Sequence, residues 1–185
     1  MISTADFRNG MTVVIDGNLM QIVEFQHVKP GKGGAFVRTK LKNVRTGRVL
    51  EKTFRSGEKM EEARLIEEPY QFLYHDGDLY HFMHRQTYDQ TVAGADIVGD
   101  NKDWLKENTE VGLLFHDGKV IDISLPITVE LVITRADPGV QGDRAQGGTK
   151  PATLETGAVI QVPLFVDEGE TVRVDTRTGA YMERV

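Results

Sequence analysis

Short β-prone runs separated by glycine turns extend from one end of this chain to the other, and they leave little room for helices. Asp16-Gly17-Asn18, Arg45-Thr46-Gly47, Asp76-Gly77, Asp117-Gly118 and Thr178-Gly179 each separate two such runs. That is the pattern of antiparallel hairpins. One stretch, residues 100–108, predicts a short helix, with Asp100 or Asn101 as its cap and Trp104-Leu105 as its apolar side. The fold class is therefore all-β. Sheets of a few short strands expose their edges unless they close, so the pattern predicts small barrels.

The runs fall into three groups, residues 1–64, 65–128 and 129–185. In the first, strands are expected at residues 12–16, 19–26, 36–44 and 49–54, with a closing strand at 63–66. Five strands in that length predict an SH3-like barrel. In the second, strands at 70–74, 79–83, 88–92, 111–115 and 120–124 with one short helix predict an OB-fold. Pro126 marks the junction to the third, a second OB-like barrel. Its strands are expected at 129–134, 158–166, 171–175 and 180–185. Pro163 inside the second of these predicts an edge position or a bulge.

The net charge of −6 is unevenly divided. Residues 1–64 carry 12 Lys/Arg and 7 Asp/Glu, a net of +5; residues 65–128 carry 4 and 12, a net of −8; residues 129–185 carry 6 and 9, a net of −3. A basic end on an acidic body would orient toward a polyanion, basic end first. With no cysteine, disulfides, thiol nucleophiles and thiolate metal sites are excluded, which fits a cytoplasmic protein. No run approaches a membrane span, and the start has no secretory pattern.

Residues 28–37 read V-K-P-G-K-G-G-A-F-V. Pro30 fixes one φ, and Gly31, Gly33 and Gly34 can take positive φ. A narrow tip with Lys32 at its apex is expected. The Gly-Lys pair is a poor P-loop, because it leads into a strand and no Ser or Thr follows. After the tip, alternation turns Val37, Thr39 and Leu41 one way and Arg38, Lys40 and Lys42 the other. Three cations on one face suit a phosphate backbone. Residues 137–150 form a long glycine-rich loop with Gly142, Gly147 and Gly148 for close approach and Arg144 and Lys150 as cations. His81 and His84, three apart on a strand, should face opposite sides, so no metal site is expected. Trp104 is expected as a core anchor. No catalytic constellation is found and no cofactor is expected.

Lys150, Ala152, Gly157, Ile160, Val162, Pro163, Val166 and Gly169 satisfy the pattern K-x-A-x4-G-x2-[LIV]-x-V-P-x2-[LIV]-x2-G without departure. With the Lys29-to-Gly33 tip and the ending from Asp175 through Gly179 to Tyr181, the chain resembles the bacterial elongation factor P family, relatives of the eukaryotic hypusine-bearing translation factor. The resemblance implies a KOW-type first barrel and two OB-folds in an L-shape. It implies a monomeric, non-enzymatic factor that binds the 70S ribosome between the peptidyl-tRNA and exit sites and relieves stalling at consecutive prolines. Lys32, often extended by a lysine-modifying enzyme, would point to the peptidyl-transferase centre. Ribosomal RNA and peptidyl-tRNA would meet Pro30, Gly31, Lys32, Gly33, Gly34, Arg38, Lys40 and Lys42. In the third barrel, Gly142, Asp143 and Arg144, with Gly147, Gly148, Tyr181 and Arg184, would also contact RNA. The family usually has G-D-T where this chain has Gly142-Asp143-Arg144. Two rivals are a general RNA-binding barrel in transcription or ribosome assembly, and an enzyme using Lys32 as an amine nucleophile. The second would need a buried lysine.

Overall fold

Strand after strand pairs with its sequence neighbour, because the turns between them are short. The computed structural model describes residues 1–139 and 148–185. Contacts between Cα atoms group Met1–Ile66 with Phe115–Ile121 as one unit, and Glu67–Leu114 with Asp122–Val185 as the other.

The first sheet contains β1 (Ile2–Ser3), β2 (Thr12–Ile15), β3 (Asn18–Val28), β4 (Phe36–Asn43), β5 (Val49–Arg55) and β6 (Lys59–Ala63), in the order β1-β6-β2-β3-β4-β5. Ile15 pairs with Asn18 across a two-residue turn, in which Asp16 (φ 50°) and Gly17 (φ 78°) are both left-handed. That is the type I′ geometry an Asp-Gly pair favours. The expected closing strand at 63–66 is corrected to β6, which pairs with both β1 and β2. Lys59, Glu61 and Glu62 mask its apolar signal, because only Met60 and Ala63 are buried. A 3-10 turn at Thr4–Asp6 follows β1, capped by Ser3 and Asp6 reciprocally. Phe7, Val13, Met20, Ile22, Val37, Leu41, Phe54 and Met60 fill the interior. Each such side chain contributes about 1.5–3 kcal/mol on burial.

The second sheet runs β11-β10-β7-β8-β9, from β7 (Ile66–Asp76), β8 (Leu79–His84), β9 (Gln90–Gly94), β10 (Glu110–His116) and β11 (Lys119–Ser124). The expected helix over 100–108 is a correction. The structure has one α-helical turn, α1 (Ala95–Val98), followed by a 3-10 segment at Gly99–Trp104. Gly99 has φ 53° and stops the α-helix, and its N–H closes back on the Ala95 carbonyl. Trp104, expected as a core anchor, is half-buried. It packs on the core of the third sheet.

The third sheet runs β14-β13-β12-β15-β16, from β12 (Thr128–Ala136), β13 (Thr149–Leu154), β14 (Val159–Pro163), β15 (Thr171–Asp175) and β16 (Ala180–Arg184). The two end strands lie beside each other, so the sheet nearly closes. Pro163 sits on the end strand β14, where its missing N–H costs no ladder bond. The interior holds Leu131, Ile133, Leu154, Val162, Val166, Val172 and Val174, all essentially inaccessible. Among the described residues, no helix is long and apolar enough to cross a membrane.

Candidate nucleic-acid interface

Strands β3 and β4 are the longest hairpin of the first sheet, and their ladder runs to Val28 opposite Phe36. Beyond it, residues 29–34 are all exposed. Gly33 takes φ 100°, which a side chain would resist. Around Gly31, Gly33 and Gly34 a Cβ would meet nothing within 4 Å. Lys32 forms no ion pair among the described residues. Its ammonium is therefore carried at the end of the hairpin with open backbone on both sides.

Strand β4 alternates as its sequence predicts. Val37, Thr39 and Leu41 are fully buried, Arg38 and Lys42 are exposed and Lys40 is half-buried. Two carboxylates change the electrostatics of this cationic face. Lys40 lies opposite both Glu24 on β3 and Glu51 on β5, and its Nζ is 3.5 Å from Glu24 Oε2. A β-bulge at Val23 creates the first pairing. The register passes from Ile22–Leu41 directly to Glu24–Lys40, leaving Val23 unpaired. The free positive charge of the stripe thus sits at Arg38 and Lys42. Glu24, Phe25, Gln26, Arg38, Lys40 and Glu51 line a groove of about 210 Å³. Sequence alternation located the cations and missed their counter-charges.

In the third barrel, Gly142, Asp143, Arg144 and Gly147 lie outside the described residues. Gly148 is half-buried immediately before β13. Lys150, expected as a loop cation, is corrected. It occupies an inward position of β13 with Ala152 and Leu154, and its side chain is 7% exposed. Tyr181 is half-buried against the third core. Arg184 Nη1 donates to Glu170 Oε1 at 3.1 Å, and its guanidinium lies 4.8 Å from the centre of the exposed Phe165 ring. The ending D-T-R-T-G is a side-chain-locked turn. Asp175 accepts from the Arg177 backbone and guanidinium, and these bonds hold its carboxyl at about 2, below the usual carboxylate value.

His81 and His84 face opposite sides of β8, as their spacing predicts. His84 is buried and built into a turn. Its Nε2 lies 3.0 Å from Glu68 Oε2, and its Nδ1 accepts from the N–H groups of Gln86 and Thr87. Both ring nitrogens are used structurally. Burial, then the nearby carboxylates of Glu68 and Asp89, push the neighbouring Tyr70 phenol up. Among the described residues no group of side chains has the arrangement of a metal site.

Three family models tile the chain in this order of barrels. Residues 3–60 match the elongation factor P KOW-like domain, 65–123 the elongation factor P OB domain, and 129–184 the elongation factor P C-terminal domain. The chain belongs to the elongation factor P family. It is 54% identical over 185 residues to elongation factor P of Natranaerobius thermophilus, covering 100% of this chain and 98% of that one. It is 56% identical over 184 residues to elongation factor P of Acidothermus cellulolyticus, covering 100% and 98% respectively. Among solved structures, the eukaryotic translation initiation factor 5A from Methanococcus jannaschii aligns with a TM-score of 0.50 at 25% identity, over 66% of this chain and 92% of that one. As a member of this family, the chain is a translation elongation factor. The SH3-like and OB architectures read from the strand pattern agree with the KOW-like and OB domains of this family.

Proposed function

We propose that this protein binds the ribosome between the peptidyl-tRNA and exit sites and relieves stalling at consecutive prolines. Lys32 would be directed at the peptidyl-transferase centre. The observation that carries this reading is the uncovered Lys32 at the end of a hairpin whose β4 face bears Arg38, Lys40 and Lys42. Proline is a poor partner in peptide-bond formation because its ring fixes φ and crowds the amine. Holding peptidyl-tRNA in reactive geometry lowers the entropic part of that barrier and needs no acid or base from the protein. The cations on β4 would follow the phosphate backbone of peptidyl-tRNA or ribosomal RNA. Pro30, Gly31, Gly33 and Gly34 would let the tip enter a narrow RNA site. Gly142, Asp143, Arg144, Gly147 and Gly148, with Tyr181 and Arg184, would meet RNA from the third barrel.

A bare lysine side chain reaches only about 6 Å. Extension of Lys32 by a modifying enzyme would carry polar groups further, and the exposed tip leaves its amine accessible to that enzyme. The test is Lys32→Arg, which keeps the charge and lacks the primary amine. In a host without its own copy of the factor, this variant should fold and bind ribosomes yet fail to speed a reporter with three consecutive prolines. A proline-free reporter is the control. Full rescue by arginine would eliminate the modified-lysine mechanism, and intact mass of the protein from its own host would identify any added group.

A further inference from the structure

The inward position of Lys150 is unusual for a charged side chain. Its strand neighbours on that face, Ala152 and Leu154, and its partner across the sheet, Val162, are all core residues. An apolar side chain would fill the space without the cost of burying an ammonium. What the ammonium does there is donate to the Asp137 carbonyl at 2.7 Å, with Asp167 Oδ1 3.8 Å away. The β12–β13 ladder offers that carbonyl no backbone donor. It ends at Ala136 opposite Ala152. The next pair in register would bring Asp137 to Pro151, whose nitrogen has no hydrogen to donate.

Two further ties hold the same end of β12, and neither is a strand ladder bond. The Ala136 N–H donates to Glu168 Oε1 at 2.9 Å. Gly139 lies so close to the chain at Leu164 that a Cβ on it would stand 2.5 Å from the Leu164 carbonyl oxygen. Three ties in four residues thus fasten the departure of the chain from β12 onto residues 164–168 and β13.

We propose that Lys150 is a positioning residue: its buried ammonium, with Gly139, fixes where the chain leaves β12 toward residues 140–147. Its consequence for activity rests on the proposed contact of Gly142, Asp143 and Arg144 with the ribosome; its geometry does not. Lys150→Met keeps the aliphatic stem and removes the donor. In hydrogen exchange on the full free chain, amides at 139 and 148–149 should exchange roughly tenfold faster or more, the effect of losing one charge-assisted bond. Leu131, Ile133 and Val172 should keep their protection. Lys150→Arg, which retains a donor, should recover most of that protection.

On purified ribosomes, Lys150→Met and Gly139→Ala should each bind several-fold more weakly. The double variant Arg144→Ala/Lys150→Met should bind no more weakly than Arg144→Ala alone, because both would act through one contact. Unchanged exchange at 139 and 148–149, or a uniform rise through the third barrel, would show Lys150 to be core filling and overturn the proposal. Additive losses in the double variant would overturn its link to the ribosome. If Arg144→Ala alone leaves ribosome affinity intact, the contact reading fails, and the exchange comparison decides the role of Lys150 independently. Should Lys150→Met not fold, Lys150→Arg and Gly139→Ala carry the same exchange comparison.

Discussion

The three cations of β4 should not contribute equally to ribosome binding. Arg38 and Lys42 are exposed and form no ion pair among the described residues, whereas Lys40 is 3.5 Å from Glu24 and opposite Glu51. Each phosphate neutralised by a free cation contributes about 0.9 to the slope of log affinity against log salt. Replacing Arg38 and Lys42 together by Gln should therefore flatten the slope by about 1.8. Extrapolated from 1 M, that is about a 60-fold loss of affinity near 0.1 M salt. Lys40→Gln should do less, because its charge is already partly answered. Glu24→Gln should act in the opposite direction, strengthening binding a few-fold, since an exposed ion pair is worth only about 0–1 kcal/mol. The assay is equilibrium binding of labelled protein to ribosomes from about 50 to 200 mM salt. A slope unaltered by the Arg38/Lys42 double variant would remove this face from the interface. Equal effects of Lys40→Gln and Arg38→Gln would refute the neutralising role of Glu24.

Thr39 is fully buried with its hydroxyl unpaired, so Thr39→Val should stabilise the protein by about 1 kcal/mol in denaturant titration. Gly179 has φ 73°, and a Cβ there would stand 3.2 Å from the Trp104 ring, so Gly179→Ala should cost about 1–2 kcal/mol in the same measurement. The Asp175 carboxyl is lowered to about 2 in the fold from an ordinary value of 3.8. Its contribution is fully present above 3.8 and is lost as pH falls through about 2. The melting-temperature gap between wild type and Asp175→Asn should accordingly close over that window, and a gap constant with pH would discount the Arg177 bonds.

Sequence alone determined the features that depend on near neighbours. The Asp16-Gly17 and Asp117-Gly118 turns follow from the left-handed conformations these residues accept. The two faces of β4 follow from the two-residue period of a strand. The exposed lysine tip follows from glycines that cannot cover it. The tertiary structure decided what depends on register and on distant partners. One unpaired residue, Val23, brings Glu24 opposite Lys40, and nothing in either strand's own alternation announces a slip of one. Strand β6 is made by pairing with β1 and β2, although its own sequence is mostly charged. Lys150 looks like a loop cation because lysine is usually exposed; the structure instead places it on the inward face of β13, where it donates to the Asp137 carbonyl at a point where Pro151 has no N–H to offer.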